Sequence, residues 1–238
     1  MNQVRRLWLV SIAASVVLVG TVLLGRWQLQ RASMKEQLAE QSELCQTMPA
    51  LSIQDLSVMS LDAVCDQRKV TLTGQWVAAK TVYLDNRQMN GRPGFFVVTP
   101  FTLDGTQDSI LVQRGWLPRN FVDRVQVQKI ETPNGQIVIQ GRLVPPPSKL
   151  YELGTADAGL IRQNLDLASF AAETGLKLLD KSVQQTGEST EGLQRDWLVV
   201  ASSADKHYGY AFQWFGLSGL TFILYVWFQI VRFRAKKQ

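Results

Sequence analysis

The sequence predicts an α+β membrane protein in which two transmembrane helices flank one mainly antiparallel β extracytoplasmic domain. Three observations predict it. The 238-residue chain holds two uncharged apolar runs, Leu7–Gly25 and Phe212–Val231, of 19 and 20 residues. At 1.5 Å rise per residue these cover roughly 28 and 30 Å, the thickness of a bilayer's hydrocarbon core. Basic residues crowd the two runs: Arg5, Arg6, Arg26, Arg31, Lys35, Lys206, Arg232, Arg234, Lys236 and Lys237. The stretch from Glu36 to Asp205 carries all 20 acidic residues against the other 15 basic ones, a formal charge of −5. Between the runs, short stretches rich in β-branched and aromatic residues are separated by Gly, Pro, Asn and Asp turns, the pattern of an all-β module.

Residues 1–6 are the expected cytoplasmic N-terminus and residues 7–25 the first transmembrane helix. A cleaved signal peptide is the rival reading. Its apolar part is usually 7 to 15 residues and is followed by a small-x-small cleavage site, whereas this run is longer and leads straight into Gly25-Arg26-Trp27-Gln28. Gln28–Leu38 contains good helix formers and no breaker, so the helix is expected to continue as a membrane-proximal segment over about 26–43. On it Trp27, Arg31 and Lys35 are spaced i, i+4, i+8 and share one slowly drifting stripe. Two readings stay open for that stripe: an indole and cations anchoring the helix among lipid headgroups, or an anion site for paired carboxylates lying between the spans.

Pro49–Gln67 is a poorly patterned connector in which Ile53, Leu56 and Leu61 suggest one short helix. Strands are expected over Val70–Trp76, Thr81–Asn86, Phe95–Thr99, Ser109–Trp116 and Gln136–Val144. Turn chemistry lies at Asn90–Gly94 and Asp104-Gly105, with Asn134-Gly135 a second strong hairpin signal. Pro145-Pro146-Pro147 stops the fifth strand and starts an extended, solvated segment. Leu160–Leu165 reads as another strand, Asp166 as the N-cap of a short helix through Thr174, and Gly175 as its terminator. Leu178–Gln185 and Trp197–Ala201 are the expected closing strands. Cys45 and Cys65 stand 20 residues apart; a structural disulfide and two buried free thiols both remain open, and the spacing is no metal or redox motif.

The second transmembrane helix is expected over residues 210–231, and residues 26–209 form the extracytoplasmic domain. The only histidine, His207, stands at the threshold of this span. Helical rotation puts His207, Trp214 and Ser218 on one side, with Tyr210 and Ala211 flanking and Gly209 and Gly216 opposite. Arg232, Arg234, Lys236 and Lys237 outweigh the charges before the span, so the basic tail 232–238 is expected to be cytoplasmic. Both termini then face the cytoplasm, and the central domain lies in the periplasm of a bacterium or the intermembrane space of a mitochondrion. The basic balance comes from membrane flanks and gives no reason to expect nucleic acid. There is no G-x-S-x-G, no HExxH and no phosphate-cradling glycine loop, and the lone histidine at a membrane boundary makes nucleophilic hydrolysis a poor fit.

Several motifs, taken together and in order, resemble the surfeit locus protein 1 family. They are Gly25-Arg26-Trp27-Gln28-Leu29-Gln30-Arg31 with Lys35, Val70-x-Leu72-x-Gly74-x-Trp76, Asn86-Arg87 with Gly91 and Gly94, and Pro100. Val112-Gln113-Arg114-Gly115-Trp116-Leu117-Pro118, Gly141 and His207-x-x-Tyr210-Ala211-Phe212-Gln213-Trp214-Phe215 complete the set. The resemblance implies a non-enzymatic assembly factor for haem-copper cytochrome c oxidase in the inner membrane of a respiring cell. Its implied cofactor is haem a, bound or shielded for insertion into cytochrome c oxidase subunit I, with haem a synthase as a further partner. On that footing His207 is the expected ligand to haem iron, Tyr210, Trp214 and Trp27 line the macrocycle, and Arg31 and Lys35 receive its propionates. The alternative is a cofactor-free membrane scaffold that stabilises oxidase assembly intermediates by protein contacts. Arg87, Arg114 and Trp116 are read as a docking patch or, equally, as arginines packed over tryptophan.

Overall fold

Why the first helix is so long is written in its composition: no proline occurs until Met48-Pro49, where the residue before proline disfavours the α conformation. The computed structural model describes residues 3–58, 64–120, 127–151, 159–188, 191–197 and 204–235. In it α1 runs unbroken over Gln3–Thr47, α2 is Ile53–Val58, α3 is Leu167–Thr174 and α4 is Ala204–Ala235. The chain divides into a helical unit, residues 1–41 with 200–238, and a β unit, residues 42–199.

In the helical unit α1 and α4 pack together antiparallel. Both are long and apolar enough to cross a membrane, and the protein buries almost none of their apolar surface. Val16, Phe212 and Ile223 are among the large apolar side chains that point outward, as a lipid-facing surface requires.

The β unit is built on seven strands: β1 Lys69–Trp76, β2 Val82–Met89, β3 Arg92–Leu103, β4 Asp108–Pro118, β5 Ile137–Val144, β6 Ile161–Arg162 and β7 Lys177–Gln185. Their order is β1-β5-β7-β4-β3-β2-β6, and β1 also pairs with β3. Five strands therefore close into a barrel, while β2 and β6 extend from it. The closure depends on β3, whose one edge carries β4 over Gly94–Thr102 and whose other edge is divided. β2 pairs with Arg92–Val98 and β1 with Phe101–Leu103. Pro100, which has no N–H to offer a ladder, sits where the edge changes partner, and its carbonyl accepts from Val77 N–H at 2.9 Å. Gly74 lies at the β1–β3 junction, where a Cβ would fall 2.1 Å from the Thr102 carbonyl oxygen.

The barrel interior holds Leu72, Phe101, Ile110, Val112, Ile139, Leu143 and Val183, with Trp76 set edge-on to Phe101 at 4.9 Å between ring centroids. β1 alternates outward and inward along its length. β4, by contrast, is buried on both faces from Ser109 to Leu117, because it is flanked by β3 and β7 and covered on both sides. Among the described residues three smaller cores lie beside the barrel, one around Phe170 and Leu165, one around Phe95 and Leu117, and one of Met89, Trp116 and Trp197.

The sheet is mixed. Five of its pairings are antiparallel, while β4–β7 and β2–β6 are parallel. The backbone does bend at Asn134-Gly135, with Gly135 at φ 88°, yet it joins no hairpin: residues 127–134 form no strand, and β5 pairs with β1 and β7. The strand expected over Leu160–Leu165 shortens to β6. Beyond Arg162 the pairing passes to a side chain, since the Asn164 carboxamide meets both the N–H and the C=O of Leu150 at 2.6 and 2.8 Å. Of the closing stretch Trp197–Ala201 only Trp197 is described, without strand structure; Leu61 of the connector lies outside the described residues. Asp166 caps α3 by accepting from Ser169 N–H, and Gly175 ends it at φ 72°. Lys149 and that N–H, in this order, hold the Asp166 carboxyl at about 2.

Cys45, in the last turn of α1, is disulfide-bonded to Cys65 just before β1, which resolves the alternative the sequence left open. Closing a loop of this length stabilises a fold by about 3 kcal/mol through the entropy of the unfolded chain. Replacing both cysteines by serine should therefore lower the stability of the β unit by about 3 kcal/mol in urea unfolding followed by tryptophan fluorescence. Dithiothreitol should reproduce the loss in the parent chain and add nothing in the variant.

Candidate functional site

The least exposed positions of the two long helices form a seam with a seven-residue repeat. On α1 they include Leu18, Thr21, Gly25, Gln28 and Ala32; on α4, Ala204, His207, Ala211, Trp214 and Ser218. Spacings alternate between three and four residues, the repeat that keeps one stripe facing a partner helix with a left-handed crossing. Most of these side chains are small, so the backbones can approach closely, the arrangement that drives association where lipid offers no hydrophobic gain. At Gly25 there is no room for a side chain, since a Cβ there would meet the Phe215 ring at 2.8 Å.

Three polar contacts pin the register. Ser11 Oγ and Tyr225 Oη lie 2.8 Å apart towards one end. Towards the other, Tyr208 Oη donates to both carboxylate oxygens of Glu36 at 3.0 Å. Near that same end, His207 Nδ1 lies 2.7 Å from Gln28 Oε1. An amide oxygen can only accept, so Nδ1 is the donor. The imidazole is half-buried, and its Nε2 has no hydrogen-bond partner among the described residues.

The expected site residues distribute around this seam unequally. His207 and Trp214 are on it. Counting about 100° per residue, Lys35 and Arg31 fall about 50° and 90° round α1 from its centre, and Tyr210 about 80° round α4. In an antiparallel pair these rotations lead to the same flank. The Glu36–Tyr208 and Gly25–Phe215 contacts, which rotate the opposite way, occupy the other flank. Arg31, Lys35, Tyr210 and Trp214 thus share one side of the seam with His207 at its centre. Trp27 is turned about 130° away and is 48% exposed; it reaches the group only through Arg31, whose guanidinium lies over the indole at 5.6 Å from its centroid. Gln28 and Glu36 are additions that the sequence reading did not single out. The available signal for Gln28 was its place three residues after Gly25 and four before Ala32, a polar side chain in a stripe of small ones.

The docking patch expected of Arg87, Arg114 and Trp116 is interior. Their exposures are 4%, 0% and 0%. Arg114 lies over the Trp76 ring at 4.8 Å and donates to Thr132 Oγ1, the Glu131 carbonyl and Glu191. Glu191 also takes Arg195 at 3.0 Å, and Arg195 Nε in turn donates to the Arg114 carbonyl. Arg87 donates to the carbonyls of Ser148 and Gln163 at 2.8 and 2.9 Å and accepts Trp116 Nε1–H on its own carbonyl. Burial pulls the Arg87 guanidinium below its ordinary value. These residues brace loops against the barrel and leave no surface for a partner.

Among the described residues no cluster of three or more His, Cys, Asp or Glu side chains could cage a metal ion. The chemistry on offer is one imidazole nitrogen without a hydrogen-bond partner among the described residues, with aromatic rings and cations on one flank. Compared with known proteins, residues 15–219 match the model of the SURF1 family. A SURF1-like protein of Rickettsia felis is 30% identical over 227 residues, covering 89% of this chain and 93% of that protein. The cytochrome oxidase assembly protein SHY1 of Saccharomyces cerevisiae is 29% identical over 128 residues, covering 53% of this chain and 33% of its own length. A SURF1-like protein of Drosophila melanogaster is 27% identical over 230 residues, covering 88% of this chain and 73% of its own.

Two outcomes follow from this geometry. Gly25→Leu should part the helices one turn from Gln28, so that a cysteine pair placed at positions 28 and 207 cross-links efficiently in the parent background and several-fold less in the variant. Arg114→Met should cost about 3 kcal/mol, by leaving Glu191 short of one of its two guanidinium partners; urea unfolding of the β unit reads this directly.

Proposed function

Because the chain belongs to the SURF1 family, we propose that it is a non-enzymatic membrane factor for cytochrome oxidase assembly and that it holds haem a for delivery to subunit I. Haem a synthase is the donor in this reading. The observation that carries it is the placing of a half-buried imidazole at the centre of the α1–α4 seam, with two cations and two aromatic rings on one flank.

The residues suit the group. His207 Nε2 presents a lone pair, and neutral imidazole is a usual axial ligand of haem iron. Trp214 and Tyr210 offer flat apolar faces beside it. Arg31 and Lys35 supply charge at the membrane boundary for two carboxylates, with the Arg31 fork suited to a carboxylate. Trp27 fixes Arg31 by stacking beneath its guanidinium. When bound, the haem supplies an iron centre whose ligation can be exchanged with that of an acceptor protein. The chain's own part is to bind, orient and screen it from water until then. In the proposed topology both termini are cytoplasmic, and the domain of residues 26–209 stands on the periplasmic side of the inner membrane. The basic tail Arg232, Arg234, Lys236 and Lys237 supports that orientation.

Protein purified from cells making haem a should show a haem a absorption band. His207→Ala should remove it without loss of helical circular dichroism. Replacing Arg31 and Lys35 together by alanine should keep the band and weaken retention at least tenfold, the scale of a lost charge-assisted hydrogen bond. A band that survives His207→Ala removes that residue as ligand. No band in the parent protein favours the cofactor-free scaffold.

A further inference from the structure

We infer that Gln28 is a positioning residue that sets the tautomer and ring orientation of His207, so that the lone pair offered on α4 is selected by a side chain on α1. The inference rests on the reading of His207 as an iron ligand for its purpose, though not for its geometry.

A neutral imidazole carries one proton on two nitrogens. Free in water, it favours the proton on Nε2, which would leave no lone pair on that nitrogen. Here Nδ1 stands 2.7 Å from Gln28 Oε1, an atom with no proton to give, so the proton resides on Nδ1 and Nε2 is bare. Which ring nitrogen is available to a metal is set by the hydrogen bond the other one makes. Inside a half-buried seam that bond is stronger than in water, and it fixes the ring's rotation as well as its proton.

The chemistry of the acceptor matters. A carboxylate at this position would hold the same proton but bring a negative charge to the edge of the bilayer and draw the ring towards imidazolium. The carboxamide fixes the tautomer without adding charge. The nearest carboxylate on the same helix end, Glu36, is engaged on the other flank by the Tyr208 hydroxyl. Gln28 reaches the ring because Gly25 and Ala32, one turn to either side on the same stripe, let the helices come close.

The chain has a single histidine, so the full-length protein, labelled with ring-¹⁵N histidine and purified in detergent without a histidine tag, gives one pair of imidazole resonances. At pH 8 the parent protein should show Nδ1 protonated and Nε2 with the shift of a bare nitrogen. Gln28→Leu should move the proton to Nε2, and Gln28→Glu should keep it on Nδ1. An Nε2–H form in the parent, or a Leu variant with an unchanged tautomer, overturns the inference. Titration of each protein with ferric haem then reads the consequence: Gln28→Leu should bind 10- to 100-fold more weakly, the usual loss for a ligand's orienting partner, and Gln28→Glu should recover most of it. Equal haem affinity in the Leu variant despite a changed tautomer removes the positioning role and leaves His207 as ligand. Full affinity in His207→Ala removes the ligand reading and leaves the tautomer result standing. If the Leu variant does not fold, Gln28→Met keeps the side-chain length and answers the same question.

Discussion

The close approach of α1 and α4 is the interaction on which the rest of the helical unit depends. In a bilayer two apolar helices gain nothing by hiding their side chains from lipid, so they hold together only where packing is tight or polar groups pair. Both conditions occur on one stripe. Gly25, Ala32, Ala204 and Ala211 remove the bulk that would separate the backbones, and Ser11–Tyr225 towards one end with Gln28–His207 and Glu36–Tyr208 towards the other supply hydrogen bonds. A slip of one residue would disturb all three at once, so they favour this register on a surface that is otherwise mostly apolar.

The β unit solves a different problem. A five-stranded barrel with one parallel pairing, β4–β7, and a second, β2–β6, on its extension needs long connections, and these cannot all be strands. Guanidinium groups take over where the ladder stops. Arg87 ties Ser148 and Gln163, Arg114 ties Glu131, Thr132 and Glu191, Arg195 reaches the carbonyls of Arg114 and Glu188, and Arg162 forks onto Glu173. Each guanidinium has donors in a fixed plane, so it can replace several backbone hydrogen bonds in a segment with no regular partner. The cost of burying the charge is offset by multiple acceptors and by aromatic faces at Trp76, Phe96 and Phe170.

Much of this was legible beforehand where one local cause decides the outcome. The apolar runs, the strands from Lys69 to Pro118, the Asp166 cap and the Gly175 stop all follow from periodicity or from a single residue's chemistry. What failed depends on partners distant in sequence. Asn134-Gly135 has the chemistry of a hairpin turn, but hairpins need two strands that pair, and β5 finds β1 and β7 instead. Of the two readings open for Arg87 and Arg114, a surface and a packed guanidinium, the second holds: Arg114 sits on β4, covered on both faces, over Trp76, and Arg87 on β2 is tied down by carbonyls of distant loops. The Cys45–Cys65 pairing needed the geometry of the α1 terminus. In the candidate site the lone histidine, the tryptophan and the cations were visible as types, and their flank was not. Trp27 shares a stripe with Arg31 yet turns from the seam, while Gln28, reading as an ordinary polar residue beside it, meets the imidazole.

The proposed site is divided between two helices in a way that links its chemistry to their association. α4 carries the imidazole and the aromatic faces; α1 carries the acceptor that orients the imidazole and the cations that would meet propionates. Neither helix alone holds a competent set. Any ligand that engages both must bind the paired state in preference to the separated one and therefore stabilises the pairing by the same free energy that pairing contributes to its binding. The reverse holds for release: an acceptor that loosens the seam by competing for α1 or α4 weakens the hold on the ligand without touching the iron. If the chain hands over a cofactor, as proposed, that reciprocity would give docking of the recipient a direct route to the affinity of the site, through the register of one hydrogen bond.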